Sequence, residues 1–125
     1  LSIAPYERAV ALRPDEALLR LGLARALIEM NQPVLYEQAI NQLIVATRLE
    51  PTYPEHWHFL GIAYGRQEKF SQSSLALAEA ALLSHNYEEA QYHAARAKRG
   101  LKANPPAYLR AEDIALTAGQ VEGSD

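Results

Sequence analysis

Apolar positions recur along this chain at helical spacing, separated by short breaks. The first run, Pro5 to Leu12, presents Tyr6, Ala9, Val10 and Leu12 and stops ahead of Pro14, whose ring forbids continuation. Asp15 and Glu16 then place acid at a helix start, and Ala17 to Met30 is apolar almost all round, which demands burial on several sides. Asn31, Gln32 and Pro33 break that run. From Tyr36 to Leu49 one stripe carries Ala39, Ile40, Leu43, Ile44 and Ala46, and Pro51 closes it. Pro54 opens a helix reaching Gln67, Ser71 is the expected N-cap of one reaching Leu83, and Tyr87 to Leu101 follows. Asn104, ahead of two prolines, caps the last, Ala107 to Thr117. The pattern predicts seven helices joined by short turns, an all-α fold.

Self-comparison shows that the helices repeat. Leu23, Ala24, Ala26 and Leu27 recur 37 positions on as Leu60, Gly61, Ala63 and Tyr64, and the Pro14 and Pro51 stops are also 37 apart. Tyr36, Ala39, Leu43 and Ala46 recur 34 positions on as Phe70, Ser73, Leu77 and Ala80. The difference of three residues fits the Asn31–Leu35 turn, where an insertion costs little. Small residues at Ala24, Gly61, Ala39 and Ala46 let helices approach, and Leu27, Trp57 and Tyr64 fill the space between them. No single unit of this kind buries its own face, so the units must stack.

Trp57, Leu60, Gly61 and Tyr64 match W-x2-L-G-x2-Y, the opening of a tetratricopeptide repeat, and from Tyr6 to Ala97 the chain resembles that family. The resemblance implies a right-handed α-α superhelix of antiparallel helix pairs. Residues 1–118 then form one domain: 1–13 is the second helix of a truncated repeat, 15–51 and 52–85 are full repeats, and 105–118 is a capping helix. Departures are visible: Arg20 stands at the Trp position of the first full unit, Ser73 and Leu77 replace Ala and an aromatic, and His85 stands where Pro is usual. Residues 119–125 read as a flexible tail.

One feature is irregular. His85-Asn86-Tyr87-Glu88-Glu89-Ala90 reads as the turn between two helices of one repeat, yet follows the equivalent turn near Phe70 by only 17 residues. Residues 71–103 thus form an overlapping unit shifted by half a repeat. With the run Asn104 to Ile114, this shift resembles the C-terminal region of BepA-like periplasmic zinc metallopeptidases, over Tyr53 to Leu116. That resemblance implies a parent whose HExxH catalytic domain, with its zinc, lies outside this chain, and a periplasmic or membrane-associated location. It also implies repeats that engage clients, partner complexes or the protease domain. The opening at Leu1 in mid-pattern, without a signal peptide, is expected of a piece of a longer protein. The other reading is a free-standing, cytoplasmic adaptor that binds an extended peptide or helix in its groove.

Composition narrows the chemistry. A net charge of −3 and pI near 5.8 argue against general nucleic-acid binding, and with no cysteine there is neither a disulfide nor a thiolate zinc site. No apolar span is long enough for a membrane. His56 and His58 are two apart and so point about 200° away from each other on a helix. His85 and His93 lack an acidic partner at ligand spacing, so no metal or cofactor site is expected in this chain. There is no P-loop and no G-x-S-x-G elbow. Glu88-Glu89 and Glu112-Asp113 complement helix dipoles rather than form acid–base pairs. No catalytic residue is expected.

Binding is expected instead on the concave face, lined in the resembling family by the first helix of each unit. The inward positions are Leu21, Arg25 and Glu29, then Glu55, His58, Ile62 and Arg66, a mixed set with a basic lean. The two-carboxylate clamp of chaperone-binding relatives needs Lys and Asn where Leu21, Arg25, His58 and Ile62 stand, so that mode is not expected. Arg96, Lys98, Arg99 and Lys102 form a second candidate, a basic docking patch on the sixth helix. Trp57 is expected in the core, between its two helices.

Overall fold

The computed structural model describes residues 2–123; Leu1, Ser124 and Asp125 lie outside the described residues. Seven helices follow one another: α1 Ala4–Leu12, α2 Ala17–Glu29, α3 Pro33–Leu49, α4 Pro54–Arg66, α5 Phe70–Leu83, α6 Tyr87–Gly100 and α7 Pro105–Gly123. Each helix packs on the next, and turns of three or four residues reverse the chain between them, so the array is an all-α solenoid. Proline stands in the first turn of α1, α3 and α4, where its missing N–H has no intrahelical partner to lose.

Two kinds of turn join the helices. In the first kind a residue sits in the left-handed region: Asn31 after α2 (φ 56°), Glu68 after α4 (φ 61°) and His85 after α5 (φ 61°). Each closes the preceding helix by an N–H donated three residues back, at 3.0–3.1 Å. In the second kind, after α1, α3 and α6, four residues close on themselves, as in Glu16 N to Arg13 O, Tyr53 N to Glu50 O and Asn104 N to Leu101 O. The kinds alternate until α5, which has a left-handed turn at both ends. Helix α5 therefore ends one pair and begins the next.

Packing carries the same slip. The α2 backbone reaches past α3 to approach α4, whereas that of α5 reaches past α6 to approach α7, and among the described residues the backbones of α4 and α6 stay apart. The core divides accordingly. Leu23, Leu27, Leu43 and Leu60 join Val10, Ile28 and Ile40 in one cluster spanning α1 to α4 and reaching Ala76 of α5. Beyond it the buried positions are mostly alanine: Ala78, Ala81, Ala90, Ala94 and Ala118 around Ile114, and Ala97 and Ala111 with Leu101.

The departures from the repeat pattern have physical partners. Trp57 Nε1 donates to the carbonyl of Pro51 at 2.8 Å, and Arg20 Nε donates to the carbonyl of Pro14 at 2.8 Å, six residues back in both cases. Arginine thus reproduces the one polar contact that tryptophan makes at this position. Trp57 is partly buried rather than enclosed, because its ring lies along the cluster's edge while its N–H serves the turn. Ser73 is buried and its hydroxyl donates to the Gly61 carbonyl at 2.7 Å.

Three expected boundaries shift. Ser71 is inside α5, whose N-cap is Lys69 without a side-chain bond, because the left-handed Glu68 turns the chain in earlier. Pro33 opens α3 instead of separating it from α2. The expected tail at 119–125 is helical as far as Gly123, since α6 still lies alongside: Gln91 packs where a Gly119 side chain would project.

The glycines allow a test of the close α4–α5 approach. A Cβ at Gly61 would lie 2.7 Å from Leu77 Cγ and 3.2 Å from the Ser73 carbonyl oxygen, whereas at Gly22 it would meet only Tyr6 at an ordinary 3.6 Å. Overpacking costs about 1–3 kcal/mol and outweighs the ~1 kcal/mol propensity gain of alanine. Urea unfolding should show Gly61→Ala destabilised and Gly22→Ala stabilised by up to ~1 kcal/mol; the same sign at both positions would refute the packing described.

Candidate functional site: a groove between α4 and α6

Because α4 and α6 part over α5, a cleft of about 510 Å³ opens between them. Pro54, Glu55 and His58 of α4 form one wall, and Asn86, Glu89 and His93 at the start of α6 form the other. Leu77, Ala80 and Ala81 of α5 and Ser84, just past its end, are the floor. The volume lies within the ~300–1,000 Å³ typical of sites that hold a small molecule or anchoring side chains.

The walls are built from local rules. Asn86 caps α6 by accepting from the Glu89 N–H at 3.4 Å, which fixes Glu89 in the first turn. His93 follows one turn later on the same face. Burial lowers its pKa, opposed by the Glu89 carboxylate and reinforced by Arg96. Across the cleft, the Glu55 carboxylate near the Tyr53 hydroxyl, with some burial and Glu50, raises that phenol above its ordinary value. Glu89 acts on His93 through its charge, one turn away, without an ion pair between them. Among the described residues no three His, Cys, Asp or Glu side chains are grouped to hold a metal ion, and no helix is long and apolar enough to cross a membrane.

The expected concave residues do not converge. Only Glu55 and His58 line this groove. Leu21 is buried in the first core cluster with Val10 of α1. Arg25 lies over the Phe59 ring, 4.8 Å from its centroid, and with Glu29 flanks a separate cleft beside Tyr6 and Gly22. Ile62 packs against the core. Arg66 donates to Asn31 Oδ1 at 3.0 Å and to the Tyr36 hydroxyl at 3.4 Å, tying α4 to the turn between α2 and α3. The expected basic lean is therefore absent from the groove: both guanidiniums face neighbouring structure.

The basic patch divides too. Arg96 turns back to Tyr92, donating to its hydroxyl at 2.9 Å and lying over its ring. Lys98 reaches Glu112 at 3.5 Å and sits over the Tyr108 ring. Lys98, Arg99 and Lys102 border a shallower depression with Ala95 and Tyr108.

His56 was unforeseen as a core residue. It is fully buried, with Nε2 3.0 Å from Glu50 Oε1 and its ring 4.7 Å from that of Tyr53, while Nδ1 has no partner. The 37-residue offset held the signal, because it places His56 in register with the core-packed Leu19. Neither family models nor curated proteins match this sequence.

His93 gives the groove a pH signature. Its pKa is lower folded than unfolded, so the unfolded chain binds the proton first and stability falls as pH drops through about 6.5. In urea titrations at about pH 7.5 and about pH 5.5, His93→Gln should lose less stability on acidification than the parent chain. Equal losses would show that His93 is not held neutral in this wall.

Proposed function

We propose that this chain is a tetratricopeptide-type interaction module, non-catalytic in itself, that seats a segment of a protein partner between α4 and α6. The observation that carries this reading is the half-unit slip at α5. In an unbroken array successive first helices pack together, as α2 and α4 do; the slip withdraws α6 from α4 and leaves an apolar floor between two polar walls. A floor of Leu77, Ala80 and Ala81 suits an anchoring side chain, and the walls offer carboxylates and imidazoles to the backbone or neighbours of that anchor.

The slip also supports the context. It is the feature, with Asn104 to Ile114, that carries the resemblance to the C-terminal region of BepA-like peptidases. In that setting the groove engages clients, a partner complex or the parent's own protease domain, in the periplasm, and zinc belongs to that catalytic domain. A free-standing adaptor that receives an extended peptide or helix would use the same groove.

Selection of displayed random peptides on the purified chain tests the site. Peptides enriched on the parent should fail to bind Ser84→Trp, in which an exposed floor position is filled, while circular dichroism melting confirms that the variant folds. Equal binding to parent and variant would remove the groove from consideration. For the context, an HExxH upstream in the parent gene is the expected result, and a gene without one rules out the peptidase setting.

A further inference from the structure

We infer that the occupant of the α4–α6 groove is a positively charged protein segment that inserts one apolar side chain between the two helices, an inference that rests on the groove being the binding site. The floor fixes the apolar anchor. The rim fixes the charge: Glu55 stands on one wall and Glu89 on the other. The cleft continues, through Asn86 and Glu89, into a second depression of about 350 Å³ bordered by Glu88 and Tyr92. Among the described residues no lysine or arginine lines either depression, and Glu88 and Glu89 form no ion pair.

The dipoles of α4 and α6 do not cancel this charge. Both helices start at this end, each contributing roughly +0.5 elementary charge, about +1 together. Three carboxylates exceed that by about two negative charges, so the rim attracts cations after the helix starts are complemented. Arg96, beyond Tyr92, is held by that residue's ring and hydroxyl. The depression at Lys98, Arg99 and Lys102 carries less: Lys98 already has Glu112, and the group sits at the negative end of α6.

Fluorescence anisotropy with three short labelled peptides separates the outcomes, each with one central leucine flanked by lysines, glutamines or glutamates. The lysine peptide should bind about tenfold or more tighter than the glutamate peptide at low salt, with the glutamine peptide between them. Added salt should erase the difference. Glu55→Gln/Glu89→Gln should bring all three affinities together without abolishing binding, since both side chains are exposed and the floor is intact. If glutamine and glutamate peptides bind as well as the lysine peptide and shift amide resonances of α4, α5 and α6, the charge inference fails and the site stands. If no peptide shifts those resonances, the site reading fails as well.

Discussion

Everything after α4 depends on α5 being narrow enough to be packed from both sides. Its buried positions are Ser73, Ser74, Ala76, Ala78, Ala80 and Ala81, with no large side chain among them. On one side Gly61 admits Leu77 and lets the Ser73 hydroxyl reach a backbone carbonyl. On the other, Gly100 leaves room for Ser71, whose hydroxyl lies where a side chain at that glycine would begin. Such close backbones replace the area term of large side chains with many short dispersion contacts. A helix with a leucine at each of these places could satisfy one neighbour, not two.

Doubling as the end of one pair and the start of the next forces the contacts that follow. Helix α7 must lie on α5 rather than on α4, and a forked ion pair holds it there: Arg110 Nε and Nη2 donate to Glu79 at 2.8 and 2.6 Å, and Nη1 donates to Asp113 at 2.9 Å. The hydrogen bond to Glu79 raises the guanidinium's pKa further, against the effect of burial. Glu79 is largely covered and Arg110 is not, so this pair sets orientation more than it adds stability. The groove is the counterpart of the same choice. What α6 gives to α5 and α7 it withholds from α4.

Much of this was legible in one dimension. The helices follow from the apolar periodicity and the prolines, and the slip from His85-Asn86-Tyr87, which repeats a turn half a unit too soon; the left-handed His85 is its physical form. The site was less legible because family spacing tells which side of a helix faces inward, not which inward groups are already occupied. Arg25 and Arg66 find Phe59, Asn31 and Tyr36, up to 35 positions away, and only folding brings those together. Once α4 and α6 part, His58 turns toward α6, so its groove partners Glu89 and His93 belong to a helix outside the regular count. Gly119 has the composition of a tail, but Gln91 gives it a neighbour.

The two walls of the groove are not equally supported. The α4 wall stands on leucines from α2, α3 and α4, each worth about 1.5–3 kcal/mol when fully buried. The α6 wall stands on Ala90, Ala94 and Ala97, which remove far less apolar area from water, and on surface pairs such as Lys98–Glu112. Local opening is cheapest where buried apolar contact is least. Local opening therefore costs less at α6 than at α4. The slip that opens the groove places its stiff wall on the leucine core and its compliant wall on the alanine stack.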